Sequence, residues 1–120
     1  MRFFGVLSIL LVNHALACGY CVEDKIAAVY DYAALAQAKA RKHTTVYFAI
    51  DGAIRDPASS LKTMVERTSG VEKGSARVSV EAKALAVTFD PRRTALPALQ
   101  GALEKALKPR GLELLLLDTK

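Results

Sequence analysis

At 120 residues, with 52% hydrophobic residues and a formal net charge of +5, the chain has room for one compact domain and enough apolar side chains to fill its core. That composition excludes a disordered chain, which is poor in apolar residues. The basic residues are scattered: Lys39-Ala40-Arg41-Lys42-His43 and Arg92-Arg93 are the only short clusters and neither lies in a nucleic-acid-reading motif, so no nucleic-acid partner is expected.

Met1-Arg2 forms a short basic start, and Phe3 to Val12 is an uncharged run of ten residues rich in Leu, Ile, Val and Phe. A bilayer-spanning helix needs about 20 apolar residues, so this run is too short to span. Ala15-Leu16-Ala17 supplies the small-x-small pattern read by signal peptidase, which predicts a signal peptide over residues 1–17 and export to the periplasm. Removing it takes away only Arg2 among the charged residues, leaving 16 basic and 12 acidic side chains and a net charge of +4. Cys18 then becomes the first residue. A lipoprotein signal usually has Leu three residues before the cysteine and a small residue two before. Here those positions are Ala15 and Leu16, the reverse order, so simple cleavage is expected rather than a lipid anchor at Cys18. No transmembrane segment is expected in the cleaved chain.

Cys21 to Lys42 reads as one helix, with Ile26, Val29, Tyr30, Ala33, Ala36, Gln37 and Ala40 at helical spacing and no Gly or Pro between. Glu23 and Asp24 in the first turn, and Arg41, Lys42 and His43 in the last, complement the helix dipole. His43 is expected to be a surface cation at that C-terminus, about 30 Å from Cys21 at 1.5 Å per residue. Thr44 to Asp51 alternates as a strand and Gly52 breaks it. Asp56-Pro57 signals a helix start, Asp56 as the cap and Pro57 in the first turn. That helix runs to about Thr68 with Leu61, Met64, Val65 and Thr68 on one face, and Gly70 ends it. Two strands follow, around Val78–Val80 and Leu85–Phe89, joined by a tight connection near Ala82-Lys83. Thr94 is the expected cap of a helix carrying Leu96, Leu99, Leu103, Ala106 and Leu107, with Pro97 tolerated in its first turn. Leu112 to Leu117 is the last strand.

After residue 43 the order is strand, helix, strand, strand, helix, strand, which predicts an α+β, ferredoxin-like βαββαβ sandwich with an extra N-terminal helix. The chain thus divides into residues 1–17 (signal peptide), 18–43 (Cys-x-x-Cys segment and helix) and 44–120 (the sandwich). The last strand is apolar on both faces, and Tyr47, Ala49, Ala84 and Ala86 point away from the two sandwich helices. Such a face invites cover, by the N-terminal helix or by a partner subunit.

Residues 44–117 resemble a heavy-metal-associated domain, the fold of copper chaperones and of a periplasmic mercury-binding protein. The resemblance is carried by the strand ending Asp51-Gly52, the helix ending Ser69-Gly70-Val71, and the hairpin from Val78 to Phe89 followed by Asp90-Pro91. It implies soft-metal binding or transfer, with a metal transporter or another periplasmic protein as partner. The family's ligands sit in a Gly-Met-Thr-Cys-x-x-Cys loop after the first strand. Aligned on Gly52, Met becomes Ala53, Thr becomes Ile54, and the two cysteines become Arg55 and Ala58. The family's site is therefore degenerate.

The only cysteines are Cys18 and Cys21. Their spacing lets two thiolates converge on a thiophilic ion, and a helix start favours thiolate. Soft sulfur donors suit copper(I) or zinc; two sulfurs satisfy copper(I), whereas zinc asks for four ligands. The α-amino group of Cys18 offers a third donor after cleavage. The same spacing serves thiol–disulfide exchange or a passive disulfide, and a third reading is a non-metal protein-interaction domain in which the degenerate scaffold binds a membrane or periplasmic partner. No Ser-His-Asp set, paired carboxylates or phosphate-binding glycine loop is visible, so no enzyme is expected; thiol oxidoreduction is the one activity the residues offer, although the order of elements is not thioredoxin's. Met64 is expected in the core, and Tyr30, Tyr32 and Tyr47 are expected to pack. Mass spectrometry of the exported protein is expected to show Cys18 as an unmodified N-terminal residue; retained residues 1–17 or a lipid mass would overturn the cleavage site.

Overall fold

A strand of alternating β-branched and aromatic residues, β1 (Thr44–Asp51), runs through the middle of the molecule because both of its faces are apolar. The structure is a computed structural model and describes residues 21–120; the predicted signal peptide and Cys18 lie outside the described residues. Before β1 come two helices, α1 (Val22–Ala28) and α2 (Tyr32–Ala40). After it come α3 (Ala58–Glu66), β2 (Arg77–Ser79), β3 (Ala84–Phe89), α4 (Leu96–Leu107), a 3₁₀ turn at Lys108–Arg110 and β4 (Glu113–Thr119). The strands form one antiparallel sheet in the order β2-β3-β1-β4. This is the expected α+β ferredoxin-like arrangement.

Alternation sends Val46, Phe48 and Ile50 to one face, where Leu85, Val87, Phe89 and Leu114 join them. Leu61 and Val65 of α3 and Leu99, Leu103 and Leu107 of α4 close this core at four-residue spacings. Met64 is half-buried against it, as expected. The other face carries Tyr47, Ala84 and Ala86, which meet Val29 and Ala82, with Ile26 and Leu117 at the border. The chain's own N-terminal helices thus cover the second face. Tyr47, 1% exposed, does pack, but Tyr30 and Tyr32 are 44% and 75% exposed.

The N-terminal segment is two short helices, not the single helix expected over Cys21–Lys42. Val29 ends α1, and Asp31 turns to extended backbone and accepts a hydrogen bond from Ala34 N–H at 3.0 Å as the cap of α2. Asp31 also takes an ion pair from Arg77 of β2 at 3.1 Å, a contact a continuous helix would forgo. The buried residues of α2 are Leu35 and Ala38, one step out of phase with the Ala33/Ala36/Ala40 stripe. An alanine-rich sequence marks the phase of a helix weakly, and tertiary contact decides it.

Two capping expectations also change. Helix α3 begins at Ala58 with Pro57 at its cap position and no side-chain cap, and Asp56 instead pairs with Arg110 at 3.4 Å. Helix α4 is capped by Ala95 rather than Thr94, whose side chain instead lies against the open face of Gly70. In β4, Tyr47 faces Asp118 but Phe48 faces Leu116, so a register irregularity at Leu117 re-aims the strand's C-terminal half.

Gly52 has φ +112°, and a Cβ there would lie 2.5 Å from the carbonyl oxygen of Gly111. The end of β1 and the turn before β4 therefore meet backbone to backbone. Gly52→Ala is expected to destabilise the protein by about 1–3 kcal/mol, the order of one strained residue, with a matching fall in the urea midpoint. An unchanged midpoint would show that the loop relaxes freely.

Candidate metal site

The β1–α3 loop, residues 52–57, has become structural. Ile54 packs against the core, Asp56 holds Arg110, and Arg55 is exposed. Where the resembled family places two thiols, this chain has a guanidinium and, at Ala58, the first residue of α3. Neither is a soft-metal donor.

Cys21 lies elsewhere, in extended backbone (φ −81°, ψ 174°) immediately before α1. Its carbonyl accepts the Lys25 N–H at 3.0 Å, and its exposed thiol donates to Asp24 Oδ2 at 3.2 Å. Cys18 lies outside the described residues, so only half of the predicted pair is placed. The segment after Cys21 is anchored. Lys25 Nζ donates to the Ala82 carbonyl at 2.6 Å, and Ile26 and Val29 sit on Tyr47, Ala84 and Ala86. Lys83, next to Ala82, accepts the Ile50 N–H at 2.8 Å. Lys25 therefore grips the end of the sheet from which loop 52–57 departs, and Cys21 is one helical turn before Lys25. Cys21, the one described cysteine, thus stands just before a helix that lies against the same end of the sheet.

The second ionisable cluster was read from sequence only as a surface cation, His43. Its side chain is in fact 16% exposed. Helix α2 ends with Lys42 in the left-handed region (φ 61°), which lets His43 N–H reach the Ala38 carbonyl at 2.8 Å. That turn aims the imidazole between two carboxylates. Nδ1 is 3.2 Å from Glu72 Oε1 and Nε2 is 3.7 Å from Asp90 Oδ2. Arg41 pairs with Glu72 at 3.0 Å and Arg92 with Asp90 at 3.0 Å. Each ring nitrogen faces a different carboxylate, so the cluster clamps α2 to the loops after α3 and β3 and does not converge on an ion. Among the described residues no three His, Cys, Asp or Glu side chains form a metal-holding group. A sequence signal existed: His43 and Asp90 flank strands that pair Thr44 with Phe89.

The Arg92 side chain, then the Arg92 N–H, hold the Asp90 carboxyl below the usual aspartate range, with the facing His43 adding to them. Asp31 is lowered chiefly by the Ala34 N–H and then by Arg77.

No protein-family model matches the chain, and no curated protein matches it. Solved structures do. Oxidized MerP from Ralstonia metallidurans superposes with a TM-score of 0.50 at 23% identity, covering 63% of this chain and 99% of that one. A copper-binding domain from HMA7, a P-type ATPase, gives 0.51 at 20%, covering 64% and 97%. The N-terminal domain of a potential copper-translocating P-type ATPase from Bacillus subtilis, in its Cu(I)-loaded state, gives 0.50 at 20%, covering 65% and 91%. The chain thus has the ferredoxin-like fold of heavy-metal-associated domains, spanning nearly the whole of each neighbour, with an N-terminal addition of its own.

A carboxylate lowered in the folded state contributes stability above its unfolded pKa of about 3.9 and loses it as pH falls through the folded value. Asp90→Asn is therefore expected to lower stability at neutral pH and to flatten the loss of stability below about pH 4. Urea unfolding across pH 2–7 checks this; parallel curves for both proteins would contradict the clamp.

Proposed function

We propose that the mature protein is a periplasmic soft-metal binding or transfer accessory that holds copper(I), or a similar thiophilic ion, between Cys18 and Cys21. The observation that carries the reading is the exposed Cys21 thiol at the first turn of an arm anchored to a metal-domain scaffold. The fold is shared with domains whose names record copper binding, and the loop position on this chain holds Arg55 and Ala58. Metal chemistry on this scaffold then rests on the N-terminal pair. Two thiolates bind copper(I) at low coordination, leaving room for an incoming thiolate, so transfer proceeds by ligand exchange without redox change. A metal transporter domain of the same fold is the partner that suits such exchange. The role is carriage, not catalysis. Thiol–disulfide exchange is the second reading, favoured by the same exposed sulfur.

The test is titration of the reduced mature protein with copper(I) against a chromophoric chelator. The expected result is one ion per chain, with binding abolished by Cys18→Ser plus Cys21→Ser. Adding Arg55→Cys and Ala58→Cys to that double variant is expected to restore binding at the loop, because the scaffold around Gly52 is intact. Undiminished affinity in the double serine variant would reject the site. Absence of copper(I) binding by the parent, together with a reduction potential within the compartment's range, would favour the redox reading.

A further inference from the structure

Local signals over residues 22–39 favour one helix: Ala27, Ala28, Ala33, Ala34 and Ala36 are strong helix formers, and no Gly or Pro intervenes. The arm is nevertheless broken at residues 29–31, and contacts with the sheet hold the break. Val29 is buried against Tyr47, Ala84 and Ala86, and Arg77 of β2 holds the Asp31 carboxylate that caps α2. Local preference and tertiary contact thus ask for different backbones over the same residues.

The two backbones cannot share one docking. Ile26 and Val29 seat α1 on the sheet; the buried residues of α2, Leu35 and Ala38, follow them at nine positions' distance each. Nine residues make about two and a half turns, so an unbroken helix sets the two pairs on opposite faces. Only the break lets both pairs be buried. α2 is tied at its C-terminal end, where Lys42 turns into β1 and Arg41 and His43 hold Glu72. α1 is therefore the half that an unbroken helix lifts away. Length favours joining as well: α1 has seven residues and α2 nine, whereas isolated helices shorter than about 12–15 residues are marginal in water. Lifted alone, α1 would melt; joined to α2, it persists. We propose that the arm is a two-state switch, broken and docked as seen here, or straight with α1 off the sheet and Tyr47, Ala84 and Ala86 uncovered. Asp31 sets the balance, because its carboxylate caps α2 only in the broken state. Straightening also carries Cys21 away from the sheet. That the thiol then meets a partner rests on the metal-transfer reading; the switch itself needs neither thiol nor metal.

Nuclear magnetic resonance of the reduced, metal-free mature protein tests the switch. Asp31→Ala is expected to move the Cα shifts of residues 29–33 to helical values and to abolish the contact of Val29 with Tyr47. The core around Phe48 and Leu103 is expected to stay unchanged, and the helical signal in far-ultraviolet circular dichroism to rise. Tyr32→Pro is expected to act in the opposite sense, because proline fits the first position of α2 after the extended Asp31 but not the interior of a straight helix. Added to Asp31→Ala, it is expected to restore the contact of Val29 with Tyr47. If Asp31→Ala does not fold, Val29→Gln, which removes the docked side chain and leaves Asp31 in place, is read for the same helical shifts. Non-helical shifts at residues 29–33 with Val29 still on Tyr47 in Asp31→Ala would overturn the proposal. So would loss of helical shifts throughout residues 22–28 in either variant, because undocking would then melt α1 and not straighten it.

Discussion

Everything in this molecule depends on a sheet that is apolar on both faces. β1 carries Val46, Phe48 and Ile50 to one side and Tyr47 to the other, all of them buried. A two-layer sandwich covers only one side. The uncovered side would present Tyr47, Ala84 and Ala86 to water, at roughly 25 cal/mol for each Å² of apolar surface. The chain answers with its own N-terminus, which places Val29 and Ile26 on that face. The small side chains at 84 and 86 let a helix approach closely, and Tyr47 fills the space beside them.

That cover has a functional consequence. The segment bearing Cys21 is a third layer, held by Lys25 on the β2–β3 turn, Asp31 on Arg77 and the His43 clamp on Glu72 and Asp90. These are mostly surface or half-buried polar contacts, screened by solvent, so the apolar face supplies the main attachment and the ion pairs set its position. Meanwhile the β1–α3 loop holds an apolar plug, Ile54, and an ion pair, Asp56–Arg110. Both contacts tie the loop to the body of the domain.

Much of the sandwich was legible because burial repeats at fixed periods. The alternation from Thr44 to Asp51 and the four-residue spacing of Leu99, Leu103 and Leu107 need no tertiary knowledge to read. The caps were less legible. Asp56 and Thr94 are good cap residues by type, yet Asp56 pairs with Arg110 and the Thr94 side chain lies beside Gly70. The helix break at Asp31 has no local signal, because alanine suits helix everywhere and no Gly or Pro marks the spot. Its partner Arg77 is 46 residues away. His43 read as a surface cation for the same reason: Glu72 and Asp90 reach it only after the sheet has formed.

The sequence by itself determined the order of strands and helices after residue 43, the two apolar faces of the sheet, and the absence of cysteine from the loop after the first strand. Those properties follow from local periodicity and residue identity. Only the tertiary structure decided that the N-terminal segment splits in two and lies over the second face, and that His43 is clamped between carboxylates. These depend on contacts between residues far apart in the chain, where geometry chooses among partners that local pattern leaves equal.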